Sequence, residues 1–207
     1  SVNFTGGVFT NLTQDHLDYH NSFAEYRDVK KSFFDVLPKS AFALTNKDDK
    51  NGMKMIEGTN AQQYTYSLKS VSNYKCRVLE NHFEGMLLNI NKVDVWVKLF
   101  GDFNAYNMLS VYAVANQFAF EDNEVLTALS MLTSPEGRFQ YLQSEEKITA
   151  IVDYAHTDDA LKNVLATVNN MRTNTEQLIT VVGCGGDRDK TKRPLMAAVA
   201  CNLSSQV

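Results

Sequence analysis

Apolar residues in the first part of the chain form two short continuous runs, separated by a segment with helical spacing. The runs at residues 8–12 and 41–45 predict buried strands, because each is short and is followed by polar turn residues. Ser22 followed by Glu25 has the spacing of a capping box, which predicts that a helix begins there. The apolar positions of this helix predict one buried stripe, formed by Phe23, Tyr26, Phe33 and Leu37.

From residue 63 to residue 101 the pattern changes to alternation between apolar and polar positions. Such alternation predicts strands with one buried face, and the turn residues Glu84-Gly85 and Asn91-Lys92 predict an antiparallel meander. Helical spacing returns at residues 104–118 and 124–132, where Asp122 or Asn123 is expected to cap the second helix.

A cluster of helix-breaking residues at 134–137 predicts a boundary between two domains. Beyond it, strand patterns at residues 148–154 and 177–182 alternate with helical patterns at 158–171 and from Pro194 onward. Strands that alternate with helices are typical of a parallel sheet. The whole pattern therefore predicts an α/β protein with a mostly parallel sheet and an antiparallel flank.

Composition narrows the class of protein without identifying a site. The 207 residues are 44% hydrophobic, enough for a core, and the net charge of -4 argues against a nucleic-acid-binding surface. No run of about 18 apolar residues occurs, so the sequence predicts no membrane insertion. Three widely spaced cysteines predict reduced thiols in the cytoplasm. The chain begins at Ser1 and stops after a helical pattern, so we expect it to be part of a longer protein.

The densest group of potential metal ligands directly follows the first predicted strand. Asp15, His16, Asp18 and His20 combine imidazole and carboxylate groups, which suit Mg²⁺, Mn²⁺ or Zn²⁺. Loops at the carboxyl ends of strands are also where open α/β sheets bind ligands. A polar surface loop with a helix-capping aspartate explains the same residues, so composition alone leaves both interpretations open.

Lys30 occupies an unusual position for a charged residue. It lies in the middle of the apolar stripe of the first predicted helix, whereas Lys31 is turned about a quarter of a circle away. Burial favours the neutral amine, since desolvation penalises the ammonium, and a neutral amine can react with carbon dioxide to give an anionic carbamate. The alternative is a lysine whose ammonium reaches water past its apolar neighbours.

Two further segments have the composition of nucleotide or anion sites. Asn104 and Asn107 share one face near the start of a predicted helix, where they either bind a nucleotide or simply cap the helix. Residues 183–190 form a glycine-rich loop between a strand and a helix, and Arg188 in this loop can bind a carboxylate through two parallel hydrogen bonds. The loop matches neither the Walker A nor the GxGxxG pattern, and a sharp turn with solvated charges is the alternative.

Six motifs, taken in their order along the chain, resemble those of the Mur ligases, the amide ligases of peptidoglycan synthesis. The resemblance extends from residue 8 to residue 203 and is strongest to the members that add the third residue of the stem peptide. The motifs are Thr10-Asn11-Leu12 with Asp15-His16-Leu17-Asp18-Tyr19-His20, the helix with Tyr26 and Lys30, Gly101-Asp102-Phe103-Asn104 with Asn107, Gly137-Arg138, Asp153-Tyr154-Ala155-His156-Thr157, and Gly183-Cys184-Gly185-Gly186-Asp187-Arg188-Asp189 with Lys192-Arg193-Pro194.

The resemblance implies the last part of a central ATPase domain at residues 1–136 and the first half of a Rossmann-like domain at residues 137–207. It implies that ATP phosphorylates the carboxylate of a UDP-MurNAc-dipeptide, and that the amine of a diamino acid attacks the acyl phosphate. We expect meso-diaminopimelate as this amino acid, but Arg188 does not exclude lysine, because the family motif that recognises the amino acid does not occur in this sequence. Mg²⁺ is the implied cofactor, and the intact enzyme is expected to be a cytoplasmic monomer. The phosphate-binding GKT loop of the family does not occur in this sequence, so we expect the chain to be inactive by itself.

The resemblance also implies roles for individual residues. His16 is expected to ligate Mg²⁺, and Lys30 is expected to be a carbamylated lysine that supports this ion. Arg188 is expected to hold the carboxylate of the incoming diamino acid. The implied nucleotide-binding residues are Asn104, Asn107, Arg138, Asp153, Tyr154 and His156.

Three other functions fit parts of the sequence. A folylpolyglutamate synthetase belongs to the same superfamily, but the DHLDYH and GGDRD segments argue against it. A stand-alone metallohydrolase could use the residues at 15–20, and a non-catalytic module could bind adenine nucleotides through the asparagines.

Overall fold

The computed structural model describes residues 2–13, 22–146, 148–173, 175–185 and 190–207. The chain divides into two compact units, Ser1–Leu132 and Thr133–Val207. Within the described ranges, no helix has the length and apolar character needed to cross a membrane.

The first unit is built on a six-stranded sheet whose strands follow one another in chain order. Neighbouring strands from β1 to β4 are parallel, and β5 is antiparallel to both β4 and β6. This confirms the predicted fold class, a mostly parallel sheet with an antiparallel flank. The strands are β1 (Gly6–Phe9), β2 (Phe42–Asn46), β3 (Gln62–Ser67), β4 (Tyr74–His82), β5 (Gly85–Ile90) and β6 (Val93–Val97).

The helices of the first unit are α1 (Phe23–Asp35), α2 (Gly52–Ile56), α3 (Asp102–Gln117) and α4 (Asp122–Met131). Helix α1 begins where the capping box predicts, and the Ser22 side chain accepts a hydrogen bond from the Glu25 N–H at 3.2 Å. Helix α4 begins near its predicted start, but neither Asp122 nor Asn123 is its cap, since the N-cap residue is Glu121.

Helix α2 has no counterpart in the sequence prediction. It begins at Gly52, where a Cβ atom would lie 1.9 Å from the Asn46 carbonyl oxygen. A residue without a side chain therefore allows α2 to approach the end of β2. The five-residue helix then buries Met55 and Ile56 in a core that they share with Phe34 of α1.

The prediction of an antiparallel meander from residue 63 is wrong for β3, which is parallel to both β2 and β4. The pairing between β3 and β4 is limited to two residue pairs at the end of β3, Tyr66 with Tyr74 and Ser67 with Lys75. The short connection at residues 68–73 therefore need not return along a whole strand, as a parallel connection usually must. The meander itself, from β4 to β6, is antiparallel as predicted.

The second unit contains a hairpin and two helices. Strand β7 (Gln140–Gln143) is antiparallel to β8 (Thr149–Val152), and α5 (Asp158–Met171) packs against α6 (Lys192–Leu203). Helix α5 has the predicted bounds, and its N-cap Thr157 accepts a hydrogen bond from the Ala160 N–H at 3.2 Å. The small core between the helices consists of Leu161, Leu165, Met196 and Ala200.

The parallel sheet predicted for the second unit is absent from its described residues. Strand β8 pairs with β7, which the sequence does not predict, and residues 177–182 form only a single parallel bridge, from Ile179 to Gln206. A strand requires a neighbour that pairs with its backbone over several residues. The apolar run here lacks such a neighbour among the described residues, and Val181 is 98% exposed.

Candidate functional site

The carboxyl ends of strands β1 and β2 are joined by polar contacts. Asn46, the last residue of β2, donates a hydrogen bond from Nδ2 to the Thr10 carbonyl oxygen at 3.0 Å. Asp49 accepts a hydrogen bond from the Leu12 N–H at 3.2 Å. Because ligands of open α/β sheets bind outside the carboxyl ends of the strands, this edge is the candidate site of the first unit.

Asp48, in the turn after β2, is the centre of a hydrogen-bond network at this edge. Its carboxylate accepts five hydrogen bonds, from three hydroxyl groups and two backbone N–H groups. The donors are the hydroxyls of Ser67 (2.7 Å), Tyr106 (2.9 Å) and Ser70 (3.2 Å) and the N–H groups of Leu68 (2.8 Å) and Lys69 (3.1 Å). Burial raises the pKa of Asp48, but the hydrogen bonds outweigh this effect and the net pKa is lowered.

From the sequence, Asp48 is predicted only as part of a turn and Tyr106 only as part of a helix. The donors to Asp48 come from the end of β3, from the loop after it and from α3, which are distant in sequence. The available signal was the pair Asp48-Asp49 in the turn after a buried strand.

Asn104 and Asn107 lie together on α3, as their spacing predicts. Asn104 is buried, its Nδ2 donates to the Phe100 carbonyl oxygen at 2.9 Å, and its Oδ1 accepts from Asn107 Nδ2 at 3.3 Å. Capping by Asn104 is ruled out, because the N-cap residue is Gly101, whose φ of 90° favours glycine. Asn107 is exposed, so its amide is accessible to a ligand.

Lys30 is not buried in the apolar stripe of α1, which corrects the prediction from its position. The stripe exists, since Tyr26 and Leu37 are buried, but Lys30 is exposed and its Nζ lies 5.1 Å from the centroid of the Tyr26 ring. The flexible stem carries the ammonium past the ring to solvent. Lys31 is half-buried and forms an ion pair with Asp35, so burial does not single out Lys30.

Arg138, Asp153, Tyr154 and His156 come together in the second unit. Asp153 follows β8 and accepts a hydrogen bond from the Phe139 N–H at 2.8 Å, which fixes the segment before β7. The Arg138 guanidinium carbon lies 4.9 Å from the Tyr154 ring centroid, and the Tyr154 and His156 ring centroids are 5.3 Å apart. Two flat rings and a guanidinium at the surface are suited to a planar ligand with negative charge.

The predicted residues His16 and Arg188 lie outside the described residues, as do the rest of the 15–20 group and the end of the glycine-rich loop. At the described start of this loop, the Arg193 guanidinium donates to the Gly185 carbonyl oxygen at 3.3 Å. A Cβ atom on Gly183 or Gly185 would meet no atom within 4 Å.

The described residues do not form the predicted Mg²⁺ site by themselves. Within these ranges, no group of three or more His, Cys, Asp and Glu side chains could hold a metal ion. Asp48 and Asp49 both accept hydrogen bonds from N–H groups, and Lys30 is exposed beside Tyr26. Of the two predicted metal ligands, only Lys30 lies within the described residues.

Two family models match the chain. The Mur ligase middle domain matches residues 1–115, and the glutamate ligase domain of the Mur ligases matches residues 137–207. These matches confirm the resemblance that the six motifs predict.

Similar proteins carry related names. The chain is 55% identical over 206 residues to the UDP-N-acetylmuramoyl-L-alanyl-D-glutamate--2,6-diaminopimelate ligase of Phocaeicola vulgatus, covering 100% of this chain and 43% of that protein. A solved structure of a ligase with the same name matches 98% of this chain and 43% of its own, with a TM-score of 0.70 and 32% identity.

The folylpolyglutamate synthase of Mycobacterium tuberculosis matches with a TM-score of 0.64 over 81% of this chain and 39% of its own. Its identity is 20%, so this likeness shows the fold alone.

The chain spans 43% of the length of the Phocaeicola relative. Because one family model covers more than half of the residues, the chain belongs to the Mur ligase family.

Proposed function

We propose that the chain is part of an ATP-dependent ligase that adds meso-diaminopimelate to UDP-MurNAc-L-Ala-D-Glu. The observation that carries the proposal is the 55% identity, over 206 residues, to the Phocaeicola vulgatus protein named for 2,6-diaminopimelate ligation. The motif residues that this chain shares with the family support the same activity. The intact enzyme is proposed to be a cytoplasmic monomer.

The proposed reaction has two steps. A carboxylate oxygen of the UDP-MurNAc-dipeptide attacks the γ-phosphorus of ATP, and ADP leaves. The amine of the diamino acid then attacks the acyl carbon, loses a proton and displaces inorganic phosphate, so that an amide forms. Both steps concentrate negative charge, which cationic and N–H groups of the protein stabilise.

Nucleotide-binding residues are proposed in each unit separately. In the first unit, the exposed amide of Asn107 is held by Asn104, which itself is bonded to the backbone. In the second unit, the Arg138 guanidinium and the rings of Tyr154 and His156 are proposed to contact the nucleotide, while Asp153 keeps the segment at Phe139 in place. Arg188 is proposed to bind the carboxylate of the incoming amino acid.

The test is the formation of the tripeptide product by the intact enzyme. We expect ATP-dependent product with meso-diaminopimelate and at least about tenfold less with L-lysine, because L-lysine lacks the second carboxylate of diaminopimelate, the one that Arg188 is proposed to bind. Arg188→Ala should raise the KM for diaminopimelate, whereas Arg77→Ala, an exposed arginine of β4, should leave it unchanged. Equal use of lysine, or equal effects of the two substitutions, would contradict the proposal.

We propose that His16 and a carbamylated Lys30 hold Mg²⁺, on the basis of the family motif alone. Lys30 is exposed, so its position in the helix gives no separate argument for a carbamate. When bound, Mg²⁺ supplies positive charge against which phosphate oxygens are stabilised. We expect Lys30→Ala to abolish ligation in the intact enzyme, acetate at high concentration to restore part of it, and Lys31→Ala to have little effect. Similar losses from both substitutions would indicate a general role of surface charge.

The 207-residue chain alone is proposed to be inactive. Its sequence lacks the GKT loop whose backbone N–H groups and lysine would hold the β- and γ-phosphates. ATP hydrolysis by the purified chain should not exceed that of its His16→Ala variant. Turnover clearly above this control would contradict the proposal.

A further inference from the structure

Two tyrosine–aspartate hydrogen bonds attach helix α3 to its surroundings. Near the start of the helix, the Tyr106 hydroxyl donates to Asp48 at 2.9 Å. Farther along the helix, the Tyr112 hydroxyl donates to Asp122 of α4 at 2.7 Å. The two bonds have the same chemistry, but only the first lies beside Asn104 and Asn107.

The Asp48 carboxylate connects three parts of the first unit. It belongs to the turn after β2 and accepts the Tyr106 hydroxyl of α3. At residues 67–70 it accepts two hydroxyl groups, from Ser67 and Ser70, and two backbone N–H groups, from Leu68 and Lys69. The start of α3 is also held from β4, because Asn81 accepts a hydrogen bond from the Gly101 N–H at 3.1 Å. The first two turns of α3 are therefore attached at two points by polar contacts.

Tyr106 holds the helix without covering the asparagine face. Successive residues of a helix are about 100° apart, so Asn104 and Asn107 point in similar directions and Tyr106 points elsewhere. A bond from Tyr106 to a fixed carboxylate therefore restricts rotation of the helix about its axis. Asn107 is exposed and has the amide of Asn104 as its side-chain contact, so its direction follows that rotation.

We propose that Asp48, acting through Tyr106, is a positioning residue that sets the orientation of Asn104 and Asn107 for nucleotide binding. The inference rests on the proposed role of these asparagines in the proposed ligase. Asp48 itself does not contact the nucleotide in this scheme. Its contribution is to orient the side-chain amides of Asn104 and Asn107 before the nucleotide binds. Fewer side-chain conformations are then lost on binding, which reduces the entropic cost.

The substitutions can be made with little change of shape. Tyr106→Phe removes one hydroxyl, and Asp48→Asn removes the charge while the Ser67 and Ser70 hydroxyls can still donate or accept. Tyr112→Phe is the matched control, because it removes the equivalent bond from the same helix. All variants are made in the intact enzyme that carries this sequence.

The experiment combines two measurements. In the enzyme without nucleotide, amide hydrogen exchange should become faster at residues 103–109 in Tyr106→Phe and Asp48→Asn, and should not change there in Tyr112→Phe. In ADP titrations, Tyr106→Phe should bind ADP about five- to tenfold more weakly, the effect of losing one hydrogen bond to a charged group. Asp48→Asn should weaken ADP binding by a smaller factor, because its amide oxygen can still accept from the Tyr106 hydroxyl, although without the charge. Tyr112→Phe should stay within about twofold of the wild type, and the KM for the UDP-linked substrate should be unchanged in all three.

Each outcome has a distinct meaning. Equal weakening of ADP binding by Tyr106→Phe and Tyr112→Phe would overturn the proposal, because it would indicate general loosening of α3. Faster exchange with unchanged ADP affinity would overturn it too, because orientation of the helix start would then not matter for the nucleotide. A wild-type enzyme that binds no ADP would instead overturn the proposed function, which is distinguishable because no variant comparison is involved.

Discussion

The two units hold their proposed nucleotide residues by different means. In the first unit, Asn104 is 9% exposed, and both ends of its amide are hydrogen-bonded within a packed helix. In the second unit, Tyr154 is 54% exposed and contacts Arg138 and His156 at the surface. Packing determines the geometry in the first case, whereas in the second it depends on contacts among the site residues themselves.

The first unit also has the larger hydrophobic core. The sheet of the first unit completely buries Leu44, Met86 and Leu88, whereas the second unit has a two-stranded hairpin and a small core between two helices. Regions with few buried apolar contacts open at lower free energy than strands in a core. Thiol reagents and substitutions that remove side chains should therefore affect the two units differently.

The largest difference is expected in the reactivity of the thiols. Cys76 in β4 is completely buried, and burial raises its pKa to about 12, whereas Cys184 and Cys201 of the second unit are exposed. Because the thiolate is the reactive form, Cys76 should react through unfolding of the first unit, about a thousandfold more slowly than the other two. A disulfide reagent should titrate two thiols rapidly and the third only in denaturant. Three equally fast thiols would contradict the burial of Cys76.

The next largest effect is expected from removing leucine side chains. Leu44→Ala, in the completely buried β2, should lower the free energy of unfolding by about 2–5 kcal/mol through lost burial and a cavity. Leu142→Ala, in the 50%-exposed position of β7, should change it by less than about 0.5 kcal/mol. Urea unfolding of the chain measures both, and similar losses would remove the distinction between the two sheets.

A smaller effect separates the two groups of nucleotide residues. Asn104→Ala should lower the free energy of unfolding by about 1–2 kcal/mol, because the Asn107 amide and the Phe100 carbonyl lose their partner. Arg138→Ala should change it by less than about 0.5 kcal/mol, since the side chain is exposed. In the intact enzyme both substitutions should weaken ADP binding. An Arg138→Ala variant that unfolds as easily as Asn104→Ala would show that the surface contacts stabilise the second unit.

Local signals predicted those elements whose determinants lie within a few residues of each other. Ser22 with Glu25 located the start of α1, because the capping hydrogen bond spans three residues. The direction of β3 could not be predicted, since it depends on a staggered pairing with β4 and on a loop held by Asp48. The hairpin of β7 and β8 was missed for the same reason, because strand pairing is not encoded in alternation alone.

The candidate site shows a similar limit. The resemblance to the Mur ligases implied a role for Arg138, Asp153, Tyr154 and His156, which the structure brings together. Helical spacing placed Lys30 in the apolar stripe but could not indicate whether its long stem would reach solvent. Asp48 was missed as a network centre because its five donors lie 19 or more residues away.

The smallest expected effect concerns acid, and it contrasts one carboxylate of each unit. The pKa of Asp48 is lowered, although burial raises it, because the hydroxyl and N–H donors stabilise the carboxylate. The pKa of Glu176 is also lowered, first by the Thr173 hydroxyl, but this carboxylate is fully exposed. A group whose pKa is lower in the folded than in the unfolded state stabilises the fold above its unfolded pKa. This contribution is lost as the pH falls through the folded pKa.

The urea midpoint of the first unit should therefore fall as the pH is lowered from about 5 to about 3, around and below the ordinary aspartate pKa of 3.8. Asp48→Asn should lower the midpoint at neutral pH and make it depend less on pH over this range, because the titrating group is gone. Glu176→Gln should leave both nearly unchanged, since solvent screens an exposed carboxylate. If instead Glu176→Gln removed more of the acid sensitivity than Asp48→Asn, the acid response would belong to the surface of the second unit rather than to the hydrogen-bond network of the first.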